Sequence, residues 1–211
     1  MVNYSAMLSQ FQAVGQALFT QGFVSPQGGN LSIKLGEHLL ITHRGSTLGS
    51  IQEGDLVETG ISKNDRATPL ASKELEVHRC IYKNTSALAV VHAHSPYAIA
   101  LSFTEKEIMP CDVEGRALLS KVPILGAEIV GDGLPARRTS SLAGEPSHFR
   151  LASEIARLLG EYKVVLVRGH GSFAASQLLE EAYYYTVVLE QSCRLLYLLK
   201  ALRVDPGMNP V

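Results

Sequence analysis

Met7, Leu8, Phe11, Val14 and Leu18 recur at intervals of three and four residues, the spacing of one helix face, which predicts an amphipathic helix ending near Gly22. The texture then changes. In QGGNLSIKLGEHLLITHRGS the apolar residues alternate or bunch between glycines, which predicts two strands with tight turns around Gly28-Gly29, Gly36 and Gly45, and a third short strand from Asp55 to Thr59. Leu75, His78, Ile81 and Tyr82 share one face of a predicted helix over 72–83, and the apolar, β-branched ALAVVHAH reads as a strand. Ser95-Pro96 is a helix-start signal, so a helix over 96–103 follows and His94 falls at a strand-to-helix turn. Residues 104–146 are rich in Gly and Pro, with strand-like pieces such as KVPIL, and carry no firm assignment. A helix near 147–159, a strand KVVLVR running into Gly169-His170-Gly171, and a long helix from Leu178 to Leu202 complete the pattern. Interleaved strands and helices predict helices covering a central sheet. Without an internal repeat or a low-complexity linker, residues 1–211 read as one domain.

Composition narrows the function classes. With 46% hydrophobic and 18% charged residues the chain reads as globular. A net charge of −1 argues against a nucleic-acid-binding surface, which needs clustered Lys and Arg. Cys80, Cys111 and Cys193 are odd in number and scattered, which suggests neither a disulfide framework nor a thiolate metal site and fits a reducing cytoplasm. The first twenty residues lack the basic start and unbroken apolar stretch of a signal peptide, and no apolar run of about 18 residues marks a membrane span.

In VVHAH, one residue separates two histidines, so on a strand His92 and His94 project to the same side and can meet one ion. Neutral imidazole suits zinc, and a catalytic zinc takes three protein ligands and keeps a position for water or substrate. RGHGSF offers the third in His170, which follows a predicted buried strand between two glycines. Alone, each element also fits an ordinary satisfied histidine. Glu74 is the carboxylate in a position to act as a general base beside such an ion. It follows Ser72-Lys73 at a predicted helix start, where free N–H groups, a hydroxyl and an ammonium suit a phosphate, or form an ordinary helix cap. GGNLS is a second anion cradle or a hairpin turn. His78 lies one helical turn after Glu74 and either packs or holds the carboxylate in place. His38 and His148 read as exposed, His43 adjoins the phosphate loop, and Tyr183 to Tyr185 fit a helix facing core or interface.

Taken in order, GGNLS, ITHRGS, ASKELEVH, VVHAHSPYAIALS and RGHG resemble the class II aldolase and adducin family, at the separations seen in its aldolases, from the first helix to about residue 190. The resemblance implies an α/β fold, a three-layer α/β/α sandwich around a mixed, mainly antiparallel sheet. It implies zinc or another divalent cation on His92, His94 and His170, with Glu74 as acid/base at the substrate carbon. It places the substrate phosphate on Asn30, Arg44, Gly45, Ser72 and Lys73. The implied activity is cleavage of a ketose 1-phosphate to dihydroxyacetone phosphate and an aldehyde. Dehydration or 4-epimerisation of a sugar phosphate, or a non-catalytic binding module, are the alternatives. A fourfold-symmetric homotetramer with the site at a subunit boundary is implied, with a small phosphorylated sugar as partner and neither nucleic acid nor membrane. The chain departs from the aldolases in three places. Arg44 and Lys73 stand where they have Thr and Ser, which accommodates a carboxylated substrate equally, and Ala127 stands near their catalytic tyrosine.

Overall fold

A computed structural model of the chain describes residues 4–126 and 147–204. The strands are β1 (Asn30–Leu35), β2 (His38–Thr42), β3 (Leu56–Gly60), β4 (Ala89–Ala93), β5 (Glu107–Ile108), β6 (Val122–Leu125), β7 (Val164–Val167) and β8 (Gly171–Ser176). The α-helices are α1 (Tyr4–Thr20), α2 (Leu75–Asn84), α3 (Pro96–Ser102), α4 (Val113–Leu118), α5 (Ser147–Leu159) and α6 (Leu179–Ala201). Among the described residues the strands form one sheet in the order β3-β2-β1-β4-β8-β7-β6-β5. Neighbouring strands are antiparallel except β6 and β7, which run parallel.

Alternation along the central strands creates two cores. Ala89, Val91 and Ala93 of β4 join Phe11 and Leu18 of α1 and Val188 and Leu189 of α6 on one side of the sheet. Val90 joins Ile81 and Tyr82 of α2 and Ile155 of α5 on the other. The molecule is therefore the expected three-layer α/β/α sandwich on a mixed, mainly antiparallel sheet. With helices on both faces, β4 and β7 are buried at every position, which is why AVVHA and VVLV carry almost no polar residues.

Several elements differ from the sequence pattern. The strand β8 lies between β4 and β7 at the middle of the sheet, yet its GSFAAS carries only one strongly strand-favouring residue, Phe173, and escapes a propensity reading. Helix α2 begins at Leu75, so Ser72 and Lys73 precede it and Glu74 occupies its N-cap position, rather than all three lying within a helix from 72. Within 104–126, which the pattern left unassigned, α4 is capped by the Asp112 carboxylate, which accepts from the Gly115 N–H. KVPIL contains β6. His38 is exposed as expected, whereas the side chain of His148 lies outside the described residues. Of the tyrosine run, Tyr185 is in the core and Tyr184 is exposed. No helix among the described residues is long and apolar enough to cross a membrane.

The loop joining β3 to α2 delivers Ser72, Lys73 and Glu74, and its shape depends on Asp65. That carboxylate accepts from the Thr59 hydroxyl and Gly60 N–H at 2.9 Å each, and from the Ala67 and Thr68 N–H groups at 2.9 and 3.0 Å. Desolvation on its own would raise the Asp65 carboxyl, but these donors together outweigh it and hold the group at about 2, below its ordinary 3.8. A carboxyl depressed in the folded state contributes stability above its unfolded value and loses it as pH falls through the folded one. Asp65→Ala is therefore expected to lower the urea midpoint at pH 7, with the gap to wild type narrowing as pH falls from about 3.8 towards 2. A gap that is the same at both ends of that window would show that the Asp65 charge does not hold the loop.

Candidate active site

Three elements meet above the α2 side of the sheet. Strand β4 pairs with β1 so that His92 lies opposite Asn30, and with β8 so that His92 lies opposite Phe173. Side chains opposite one another share a face. His92 accordingly stacks on the Phe173 ring, centroids 4.2 Å apart, and points towards the start of α2. His94 has just left β4, its N–H donating to the Phe23 carbonyl at 2.8 Å. His170 sits in the turn between β7 and β8, its ring 4.9 Å from that of His92 and 5.3 Å from that of His94. One ring nitrogen from each of the three histidines lies within 4.8 Å of the others.

Glu74 closes the group. Its Oε2 is 3.1 Å from His92 Nε2, its Oε1 is 3.1 Å from His170 Nε2, and the Asn30 amide donates to Oε2 at 2.7 Å. Burial alone would raise the Glu74 carboxyl, but His92, His170 and Asn30 outweigh it and hold the group well below the ordinary carboxylate range. Burial and the mutual repulsion of the rings, opposed by Glu74, push His92 down to about 3, and burial pushes His94 down as well.

This arrangement leaves electron pairs facing one another. His92 Nδ1 lies 2.9 Å from the Ser172 carbonyl, which only accepts, so Nδ1 carries the proton and the neutral ring presents a bare Nε2. That lone pair faces the Glu74 carboxylate at 3.1 Å and His94 Nε2 at 2.9 Å. His170 Nδ1 is buried without a partner among the described residues. A cation among the three imidazoles turns these repulsions into attraction, and deprotonated imidazole is the form that coordinates. The donor set therefore fits a divalent metal of the zinc class, on two strand-end histidines and one turn histidine beside a carboxylate.

The outer wall carries positive charge. A cavity of about 380 Å³ is lined by the three histidines, Glu74 and the buried Asn30, and by Gly45, Ser72 and the exposed Arg44 and Lys73. The two loops are laced together. Ser72 N–H donates to the Thr42 carbonyl, Arg44 N–H to the Leu70 carbonyl, and His43 bridges Ala71. The N–H groups of Gly45 and Lys73 have no hydrogen-bond partner among the described residues, and Arg44 and Lys73 form no ion pair there. All nine residues expected at the site thus line one cavity. His43, Gln27 and the two glycines of GGNLS line it too, so that segment is a wall of the site rather than a hairpin turn; the tight hairpin turn lies at Gly36. Ala127 lies outside the described residues.

The profile of the class II aldolase and adducin N-terminal domain matches residues 9–197. The chain belongs to the class II aldolase and adducin family. Among its relatives, an L-fuculose phosphate aldolase of Methanococcus maripaludis is 27% identical over 93% of this chain and 99% of its own length. A 3-oxo-tetronate 4-phosphate decarboxylase of Pectobacterium atrosepticum is 29% identical over 88% of this chain and 81% of its own. The crystal structure of an L-fuculose-1-phosphate aldolase from Thermus thermophilus superposes with a TM-score of 0.81 at 31% identity, covering 95% of this chain and 98% of that one.

Two glycines let this class II aldolase family member bring its backbone so close to the histidines. Gly29 has a φ of +75°, and a Cβ there would lie 2.6 Å from Val24 Cγ1 and 2.8 Å from the His92 carbonyl oxygen. At Gly171 a Cβ would collide with the Ala93 carbonyl and lie 2.8 Å from the His94 ring. Backbone cannot give way as a side-chain tip does. Gly171→Ala is expected to cost about 1–3 kcal/mol by forcing β8 away from β4. A urea midpoint equal to that of the parent protein would refute this crowding.

Proposed function

We propose that the chain is a metal-dependent aldolase that cleaves a ketose 1-phosphate to dihydroxyacetone phosphate and an aldehyde, reversibly. One observation carries the reading: the Glu74 carboxylate spans His92 and His170 within a three-imidazole group, 3.1 Å from each. His92, His94 and His170 hold a divalent cation, zinc by the softness of the donors. Such an ion supplies Lewis acidity, lowering the cost of negative charge that develops on a bound carbonyl oxygen. Glu74 handles the proton at the adjacent carbon. In the synthetic direction it takes that proton from the triose phosphate; in cleavage, the C4 hydroxyl gives up its proton and becomes the aldehyde as the C3–C4 bond breaks, and the electron pair left on C3 takes a proton through Glu74, so one proton leaves and one arrives. Arg44 and Lys73, the N–H groups of Gly45 and Lys73 that have no partner among the described residues, the Ser72 hydroxyl and Asn30, whose amide also donates to Glu74, hold the phosphate. The reading includes a homotetramer, supported by apolar side chains such as Tyr197, Leu198 and Leu202 exposed on and just after α6, and a reducing cytoplasm, supported by three free cysteines. Residues 1–211 form one catalytic domain in this reading.

A second reading is favoured by the paired cations and by the name of the Pectobacterium relative. A 3-oxo acid phosphate presents two anions and loses carbon dioxide, which needs no acceptor for a hydroxyl proton, while leaving the same electron pair next to the carbonyl. Product analysis separates the two, since an aldehyde with triose phosphate forms in one case and carbon dioxide in the other.

With the purified protein and a panel of ketose 1-phosphates, triose phosphate release is expected, abolished by chelator and restored by zinc. Glu74→Gln is expected to lower kcat by about 100-fold or more with bound metal retained. Full turnover by that variant would remove Glu74 from the chemistry. Replacing Arg44 and Lys73 together by Ala is expected to raise KM at least about tenfold, through loss of charge-assisted hydrogen bonds worth about 1.5–3 kcal/mol each. An unchanged KM would move the phosphate elsewhere.

A further inference from the structure

Behind Glu74, on the side away from the cavity, runs a row of buried polar groups that the proposed reaction does not touch. His78 is fully buried, as are Ser32 and, almost wholly, Tyr82. His78 Nε2 meets Asn30 Oδ1, His78 Nδ1 lies 2.6 Å from Ser32 Oγ, and Ser32 Oγ lies 2.6 Å from the Tyr82 hydroxyl. The His78 ring does not reach the Glu74 carboxylate; Asn30 stands between them, donating to the carboxylate at 2.7 Å.

One placement of protons satisfies the row. A carboxylate only accepts, so Asn30 must turn its NH₂ to Glu74 and its oxygen to His78. That oxygen also only accepts, so His78 Nε2 carries the hydrogen. A neutral ring then has a bare Nδ1, which accepts from the Ser32 hydroxyl, and Ser32 in turn accepts from Tyr82. Burial keeps the ring neutral, pushing His78 down to about 4 against the pull of Glu74. The carboxylate charge thus sets the direction of every hydrogen bond behind it, and the row in turn leaves the amide a single orientation. Were His78 unable to donate, the amide could rotate and set its oxygen against the carboxylate.

We propose that His78 is a positioning residue for Glu74, acting through Asn30. Its Nε2–H locks the amide in the orientation that donates to the base, while Ser32 and Tyr82 lock the ring in the tautomer that can do so. The inference rests on the reading that Glu74 moves the substrate proton.

Two isosteric variants test it. A glutamine amide reaches the place of Nε2 and can donate to Asn30; an asparagine amide reaches only the place of Nδ1. His78→Asn is expected to lower kcat by roughly 10- to 100-fold, the range for groups that orient a reacting residue, with KM and bound metal little changed. His78→Gln should recover most of that loss. A role in packing alone would lower both variants together, and equal losses, or wild-type kcat in His78→Asn, would overturn the proposal. The two-bond ¹H–¹⁵N spectrum of histidine-labelled wild-type protein reads the tautomer without turnover. The Nε2–H form is expected, and an Nδ1–H form overturns the proposal whatever the substrate. If instead no ketose phosphate is cleaved, or Glu74→Gln is fully active, the assignment of the reaction fails while the tautomer measurement still decides the hydrogen-bond row.

Discussion

The pairing of β4 between β1 and β8 is the constraint from which the site follows. Because β4 is covered on both faces, its alanines and valines would be equally content in either core, and apolar pattern alone does not choose which side faces α2. The polar residues choose. In the observed register His92 lies opposite Asn30 and reaches Glu74, and Ser32 reaches His78 and Tyr82. A slip of one residue would turn His92 towards the core shared by α1 and α6, away from Asn30 and Glu74. An unsatisfied buried polar group costs about 1–3 kcal/mol, enough to fix a register the hydrophobic residues leave open. The polar groups that line the cavity therefore also specify the fold around them.

Charge is layered from the outside inward. Two cations, Arg44 and Lys73, neither in an ion pair among the described residues, stand at the mouth of the cavity; an anion, Glu74, and three imidazoles lie deeper; neutral, hydrogen-bonded His78, Ser32 and Tyr82 lie behind. An anionic ligand group is attracted to the rim and kept from the carboxylate by the same distribution. The neutral inner layer adds no further charge behind Glu74. Its hydrogen bonds hold position without supplying charge.

Much of this was legible in the residues. The HxH of a strand fixes two side chains on one face by period alone, and the glycines around His170 announce a turn. Glu74 stood out through its neighbours Ser72 and Lys73, although the helix begins only at Leu75. The strand β8 was not legible, because GSFAAS is held in the middle of the sheet by the pairing of its backbone on both sides and not by strand-forming side chains. His78 was visible only as a residue one turn from Glu74. That Asn30 would be interposed between them depends on the β1–β4 register, which a single sequence does not disclose.

The order of the strands in the sheet is not their order in the chain. Strand β4 is finished on one side by β1, made well before it, and on the other by β8, made some eighty residues later, since His92 pairs with Phe173. During synthesis on the ribosome AVVHA therefore spends an interval as an exposed, strongly apolar edge, with the turn that carries His170 not yet translated. In that interval the nascent chain is open to edge-to-edge association. The three-histidine cavity is completed only with the last central strand, and not gradually.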